Sequence, residues 1–250
     1  MIRPVRRITP LVSMLVLSMG LVLSTPCMIL DAGADQSQFS SIPDDRLDDI
    51  LADTEKNLGR IKTLKTLLTQ EKHLSLFAAP VVSTGVFLFK APGKIRLEFF
   101  EPFKSILMVS GNKLFKFEEF NGQWQKIPQG NEKMMEVVLD HIGAWVNGRF
   151  NQGDMYEVTG KYRPDNLFKD QRAFALILEP RAAEFKKFIQ AFELGINSNM
   201  DRLDYIIIRE SGEDYTKITF HQDLVNTLVE DVYFDGKDNP PLPVPKWSIP

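Results

Sequence analysis

The sequence predicts a mainly β domain with helices, of the α+β class. Three observations predict it. Between residues 84 and 127, apolar and polar residues alternate with period two, and the runs are parted by the turn pairs Pro92-Gly93, Gly111-Asn112 and Asn121-Gly122. Two other stretches, starting near Asp44 and Glu132, repeat their apolar residues at threes and fours instead. The composition is 44% hydrophobic and 25% charged, which is globular and excludes wholesale disorder or a collagen-like repeat. A length of 250 residues suits one undivided barrel or sandwich.

The first 34 residues read as an address. Arg3, Arg6 and Arg7 precede an apolar run of 13 residues from Leu11 to Leu23, and Ala32-Gly33-Ala34 offers an A-x-A cleavage site. A membrane span needs roughly 20 apolar residues, so an uncleaved anchor fits less well. Cys27 follows Ser24-Thr25-Pro26, and proline at the cut suits lipoprotein processing poorly, so Cys27 is read as part of the discarded segment. Cleavage after Ala34 removes three arginines and Asp31, which takes the net charge from −3 to −5, and leaves no cysteine. A periplasmic location follows. Cysteine nucleophiles, internal disulfides and multi-cysteine zinc sites are excluded. No basic excess points to nucleic acid.

The mature chain reads as one domain over residues 35–238, followed by a proline-rich tail over 239–250. Leu47, Ile50, Leu51, Leu58, Ile61, Leu64, Leu67 and Leu68 fall on one helical stripe, with Asp44 and Asp45 at its positive end and Gly59 weakening its middle. Strands are expected at 84–90, 95–99, 105–110, 114–120 and 124–127. A second amphipathic helix spans 132–150. Further strands are expected at 156–162, 173–179, 203–210, 216–221 and 229–234. A short helical turn follows Arg181, and residues 193–196 suit a strand. Gly212 and residues 223–226 mark bends. The tail after Asn239 carries too many prolines to join a ladder and should be extended.

About ten strands can bury their apolar faces by folding into a sandwich or curling into a barrel. The two amphipathic helices then cover an open mouth. The enclosed interior is aromatic-rich, since the chain has 18 Phe. Composition leaves open whether that interior is a packed core or a lipid-sized cavity.

The order of motifs bears on this. Thr84-Gly85-Val86-Phe87-Leu88-Phe89-Lys90-Ala91-Pro92-Gly93-Lys94-Ile95-Arg96-Leu97-Glu98-Phe99 is followed by Pro102 and by Ser105-Ile106-Leu107-Met108-Val109-Ser110-Gly111. Leu176-Ile177-Leu178-Glu179-Pro180, Ile218-Thr219-Phe220, Asn226 and Val232-Tyr233-Phe234 come later. Preceded by a Leu-rich helix ending near Thr69-Gln70, this series resembles the periplasmic outer-membrane lipoprotein carrier family, the LolA-like proteins, over most of residues 64–241. The resemblance implies a curved antiparallel sheet forming an unclosed β-barrel under a helical lid. It implies a monomeric carrier that takes acyl chains of lipoproteins from an inner-membrane release complex and hands them to an outer-membrane receptor. It implies no catalytic residue, metal or cofactor. Well-studied carriers have an arginine before the proline of the Lys-x-Pro turn, thought to hold the lid shut. This chain has Ala91 there, so Lys90, Lys94 or Arg96 would hold the lid, or this member is regulated differently.

Ile95, Leu97 and Phe99 share a strand face, and Ile95 and Leu97 fall where the family lines its cavity. Phe87, Phe89, Phe115 and Phe117 are assigned to the same lining by alternation, and Met135, Val138, Ile142 and Trp145 to the underside of the lid. Each of these also fits an ordinary core. Arg96, Arg149, Lys186 and Lys187 suit lipid headgroups or a solvated face. His73, His141 and His221 are scattered, and no nucleophile elbow, phosphate loop or paired-histidine spacing accompanies them, which disfavours a hydrolase. An exported, non-catalytic β module that binds protein or glycan is the alternative from another class, as is a relative of the carriers serving another lipid or glycolipid pathway.

Overall fold

The computed structural model describes residues 40–111, 113–127, 133–150, 154–163 and 173–236. The signal segment with Cys27 and Ala34, and the tail from Asn239, lie outside the described residues. Helix α1 (Asp44–Leu58) carries Asp44 and Asp45 in its first turn and ends at Gly59, whose N–H donates to Glu55 O. The expected continuation through Leu68 does not form. Thr63–His73 is strand β1 instead. The physical reason is visible in the pairing. β1 is flanked on both sides, and its ladder shifts register between Thr66 and Leu68. The extra residue of that shift lies in β11, so the side chains of β1 still point to the two faces in turn. Leu68 faces the inner cluster and Leu67, opposite Val86, faces the other side. Both are buried because the strand is covered on both faces, and the pattern imitates a helical stripe.

Ten further strands follow: β2 (Val81–Lys90), β3 (Lys94–Glu101), β4 (Ser105–Val109), β5 (Leu114–Phe120), β6 (Gln123–Ile127), β7 (Tyr156–Tyr162), β8 (Phe174–Pro180), β9 (Ile189–Ile196), β10 (Leu203–Glu210) and β11 (Tyr215–Val225). Helix α2 (Lys133–Val146) links the two halves, and the short α3 (Ala183–Lys186) precedes β9. All eleven strands form one antiparallel sheet in the order β6-β5-β4-β3-β2-β1-β11-β10-β9-β8-β7. β6 and β7 are its edges, so the barrel is not closed. β11 runs on to Val225, through the bend expected at 223–226. The last expected strand is a 3-10 turn, Asp231–Phe234. Its Phe234, with Val229 just before it, is buried against side chains of the sheet, and this docking produced the apolar alternation.

The sheet must curl. β3 and β9 are five places apart in the order, about 24 Å if the sheet were flat. Yet one turn of α2 touches both. A methyl group built on Gly143 would stand 2.6 Å from Ile95 Cδ1 of β3, while the Trp145 ring lies 4.7 Å from that of Phe192 of β9. Both helices thus pack on one inner face, whose cluster draws on α1, α2 and strands from both halves. The outer face holds a second, smaller cluster. Connections at 74–80, 102–104, 121–122, 181–188 and 211–214 gather at one end of the barrel, here the lower end.

Candidate functional site

The inner face beneath α2 is built by register. Phe87 stands opposite Leu97, Phe89 opposite Ile95, and Gly85 opposite Phe99. Leu97 and Ile95 in turn face Leu107 and Val109. All are buried in the inner cluster, as are Val138, Ile142 and Trp145 from α2. The Phe87 and Phe220 rings, 5.6 Å apart, carry the layer across β1 to β11. The structure therefore brings together Phe87, Phe89, Ile95, Leu97, Phe99, Val138, Ile142 and Trp145. Met135 lies in α2, but its side chain is outside the described residues.

Phe115 and Phe117 are placed elsewhere. Phe117 pairs with Ile106 and Phe115 with Met108, and all four belong to the outer-face cluster. Alternation correctly puts both phenylalanines on one side of β5, but it cannot say which side is inward. Lys126 Nζ sits 4.6 Å from the centre of the Phe115 ring, a cation–π contact on that outer face.

The residues expected to hold the lid also point outward. Lys90 and Lys94 reach Asp231 at 2.9 and 2.7 Å. Arg96 and Glu98 form a buried ion pair at 2.8 Å, and Arg96 donates to Tyr233 O at 3.0 Å. These groups clamp residues 229–236 to the outside of the sheet. Ala91 packs against the inner cluster, and its N–H donates to Lys62 O.

Other residues tie α2 down. His141 Nδ1 and the Tyr156 hydroxyl share a hydrogen bond of 2.7 Å. Burial lowers the pKa of His141 and raises that of Tyr156, so both are neutral partners. Asn147 Nδ2, just past the helix, donates to Ile61 O at 2.9 Å. Gly148 follows at φ +78°, where a methyl group would strike the backbone of Glu55 in α1. Sequence reasoning missed Asn147 and dismissed His141. Their partners are 86 and 15 residues away, and no spacing rule reaches them.

The described apolar side chains of the inner face pack into one buried cluster. A narrow cleft with only about 20 Å³ of free space lies at the upper end, lined by Leu58, Ile61, Leu64, Val146, Phe220 and Asp223 among others. Burial pushes the Asp223 carboxyl up to about 6. A solvent-open groove of about 210 Å³ lies at the lower end between Val137, Met155, Pro180, Arg181, Ala182 and Phe185. Leu76, 85% exposed, and the exposed Phe77, Phe103, Phe120 and Met155 ring that same end. His73 stacks on Tyr215, and His221 bonds Thr69, far from His141 in the fold. Among the described residues no group of three or more metal-ligating side chains gathers, and no helix is long and apolar enough to cross a membrane.

An open antiparallel sheet with a helix pressed across its mouth is the arrangement that the motif order implied. The family model for the outer membrane lipoprotein carrier protein LolA matches residues 59–236, more than half of the chain. The chain belongs to the LolA family. The match begins at Gly59, just after α1, and ends at Gly236, beneath the Phe115 ring. Among solved structures, a LolA superfamily protein from Nitrosomonas europaea is 13% identical, with 75% of this chain and 96% of that chain covered and a TM-score of 0.39. LprF from Mycobacterium bovis is also 13% identical, with 75% and 96% covered and a TM-score of 0.43. The Mycobacterium tuberculosis lipoprotein LppX is 10% identical, with 75% and 99% covered and a TM-score of 0.39. No curated protein sequence matches the chain.

Proposed function

We propose that this LolA-family chain is a periplasmic, non-catalytic carrier that shelters acyl chains of lipoproteins, or of related lipids, between α2 and the inner face of the sheet. It takes them up at the inner membrane and releases them at the outer one. The supporting observation is the way α2 is seated. Its underside of Val138, Ile142 and Trp145 covers Ile95, Phe89 and Phe192 with apolar contacts, which have no preferred direction. An acyl chain offers the same contacts. Each methylene hidden from water is worth about 0.8 kcal/mol, so a long chain compensates the sheet for a displaced helix.

The test uses a disulfide. Gly143→Cys with Ile95→Cys, in protein lacking the first 34 residues, joins α2 to β3. The oxidised protein is expected to lose binding of a fluorescent fatty acyl probe and to regain it on reduction. Equal binding in both states sinks the carrier reading. The mutual burial of the described inner-face side chains favours a second reading, a β module that binds protein or glycan without opening. Absence of co-purifying acyl lipid under gentle isolation, together with no probe binding, would select it.

A further inference from the structure

At the lower end of the inner face, one patch is polar where its surroundings are apolar. Lys72 of β1 stands opposite Thr216 of β11, and Thr216 opposite Ile208, a member of the inner cluster. One row further in, Gln70 stands opposite Ser83 on one side and Ile218 on the other. Glu210 lies two residues beyond Ile208, opposite the inner-cluster residue Ile189. These five polar side chains are buried, with Lys72 only 4% and Glu210 only 5% exposed. Burial lowers the pKa of Lys72 and raises that of Glu210, and each charge favours the other.

The patch is expensive as a mere core. Glu210 Oε1 has no hydrogen-bond partner among the described residues. A buried acceptor left without a donor costs free energy, and well-packed apolar residues in place of a buried charge pair are often as stable or more so. The cluster thus presents an unused carboxylate acceptor on β10 and, across β11, an ammonium on β1.

We propose that this patch is a subsite for the polar end of the bound acyl compound, and that it selects an N-acyl amide. The inference rests on the acyl-binding reading above. The amide carbonyl accepts from the Lys72 ammonium, and the amide N–H donates to Glu210 Oε1. Gln70, Ser83 and Thr216 complete the polar surround. The hydrocarbon then runs from the patch along Leu68, Phe87 and Phe220, the next rows of the same face. An ester of the same length offers the carbonyl but no N–H, and leaves the carboxylate oxygen as it was.

The experiment displaces a fluorescent fatty acyl probe from the wild-type chain with N-methylpalmitamide or with methyl palmitate. The amide is expected to work at roughly tenfold lower concentration, the value of one hydrogen bond to a charged acceptor. Glu210→Met is expected to abolish that ratio by weakening the amide while leaving the ester unchanged. Equal displacement by the two compounds in wild type overturns the subsite, whether or not the variant folds. A Glu210→Met protein that loses both competitors together also overturns it, because a purely structural residue would act so. Failure of the probe itself to bind overturns the acyl-binding reading and this inference with it.

Discussion

Helix α2 on the inner face and residues 229–236 on the outer face bury apolar side chains of the same strands, β2 to β5, from opposite sides. The outer segment is held by charge. Lys90 and Lys94 meet Asp231, Arg96 meets Tyr233 O, and Lys126 donates to Gly236 O. Such contacts are directional, and no hydrocarbon can replace them. Helix α2 is held chiefly by apolar surface, with His141 and Asn147 adding hydrogen bonds near its middle and its end. Apolar contact is interchangeable, so the two covers differ in what can take their place. On the proposed reading the outer one is a fixture, and the inner one is exchangeable.

The largest expected effect tests the fixture. Arg96→Met leaves Glu98 buried without its cation and should cost about 3–5 kcal/mol in chemical denaturation, with acyl-probe binding by the folded fraction unchanged. Trp145→Ala should cost a comparable 3–5 kcal/mol, roughly, by opening a cavity under α2. Its probe binding should rise, because the vacated room lies where the proposed ligand would sit. If Trp145→Ala and Arg96→Met leave probe binding equally unmoved, the contrast between the covers is lost. Gly143→Val should lift α2 from Ile95 and cost about 1–3 kcal/mol, again with stronger probe binding.

Two smaller effects follow from protons. Burial holds His141 below its ordinary 6.5. As pH falls below that value the unfolded chain takes up a proton first, so stability is lost as pH drops towards the folded-state pKa. Thermal melts from pH 7.5 to 5 should show this loss, and His141→Phe should reduce it. Hydrogen bonds from Lys94 and Lys90 hold Asp231 down to about 2. Its contribution is present above the ordinary 3.8 and disappears only as pH falls towards 2. Because Asp231 is largely exposed, Asp231→Asn should move the melting temperature least of all, and less still in high salt.

Much of the fold is legible in the sequence because hairpins are local. The turn pairs at Pro92-Gly93 and Asn121-Gly122 place the expected ends of β2 to β6 within three residues of the observed ones. β1 is not legible, because a central strand buried on both faces loses its alternation. The inward set on β2, β3 and α2 could be read from period, and the orientation of β5 could not. Its inward side is decided by the segment near Phe234, more than a hundred residues later. The fastenings of α2 and the gathering of Lys72 and Glu210 in one buried patch depend on how distant strands are placed, so no local pattern announces them.

The middle of the sheet is stitched by its first and last strands, with Leu64 opposite Val225 and His73 opposite Tyr215. A ribosome must therefore release nearly the whole chain before the central ladder can form. Contacts of such long sequence separation make folding slow. A polypeptide of this topology stays threadable for as long as its C-terminal strand is withheld.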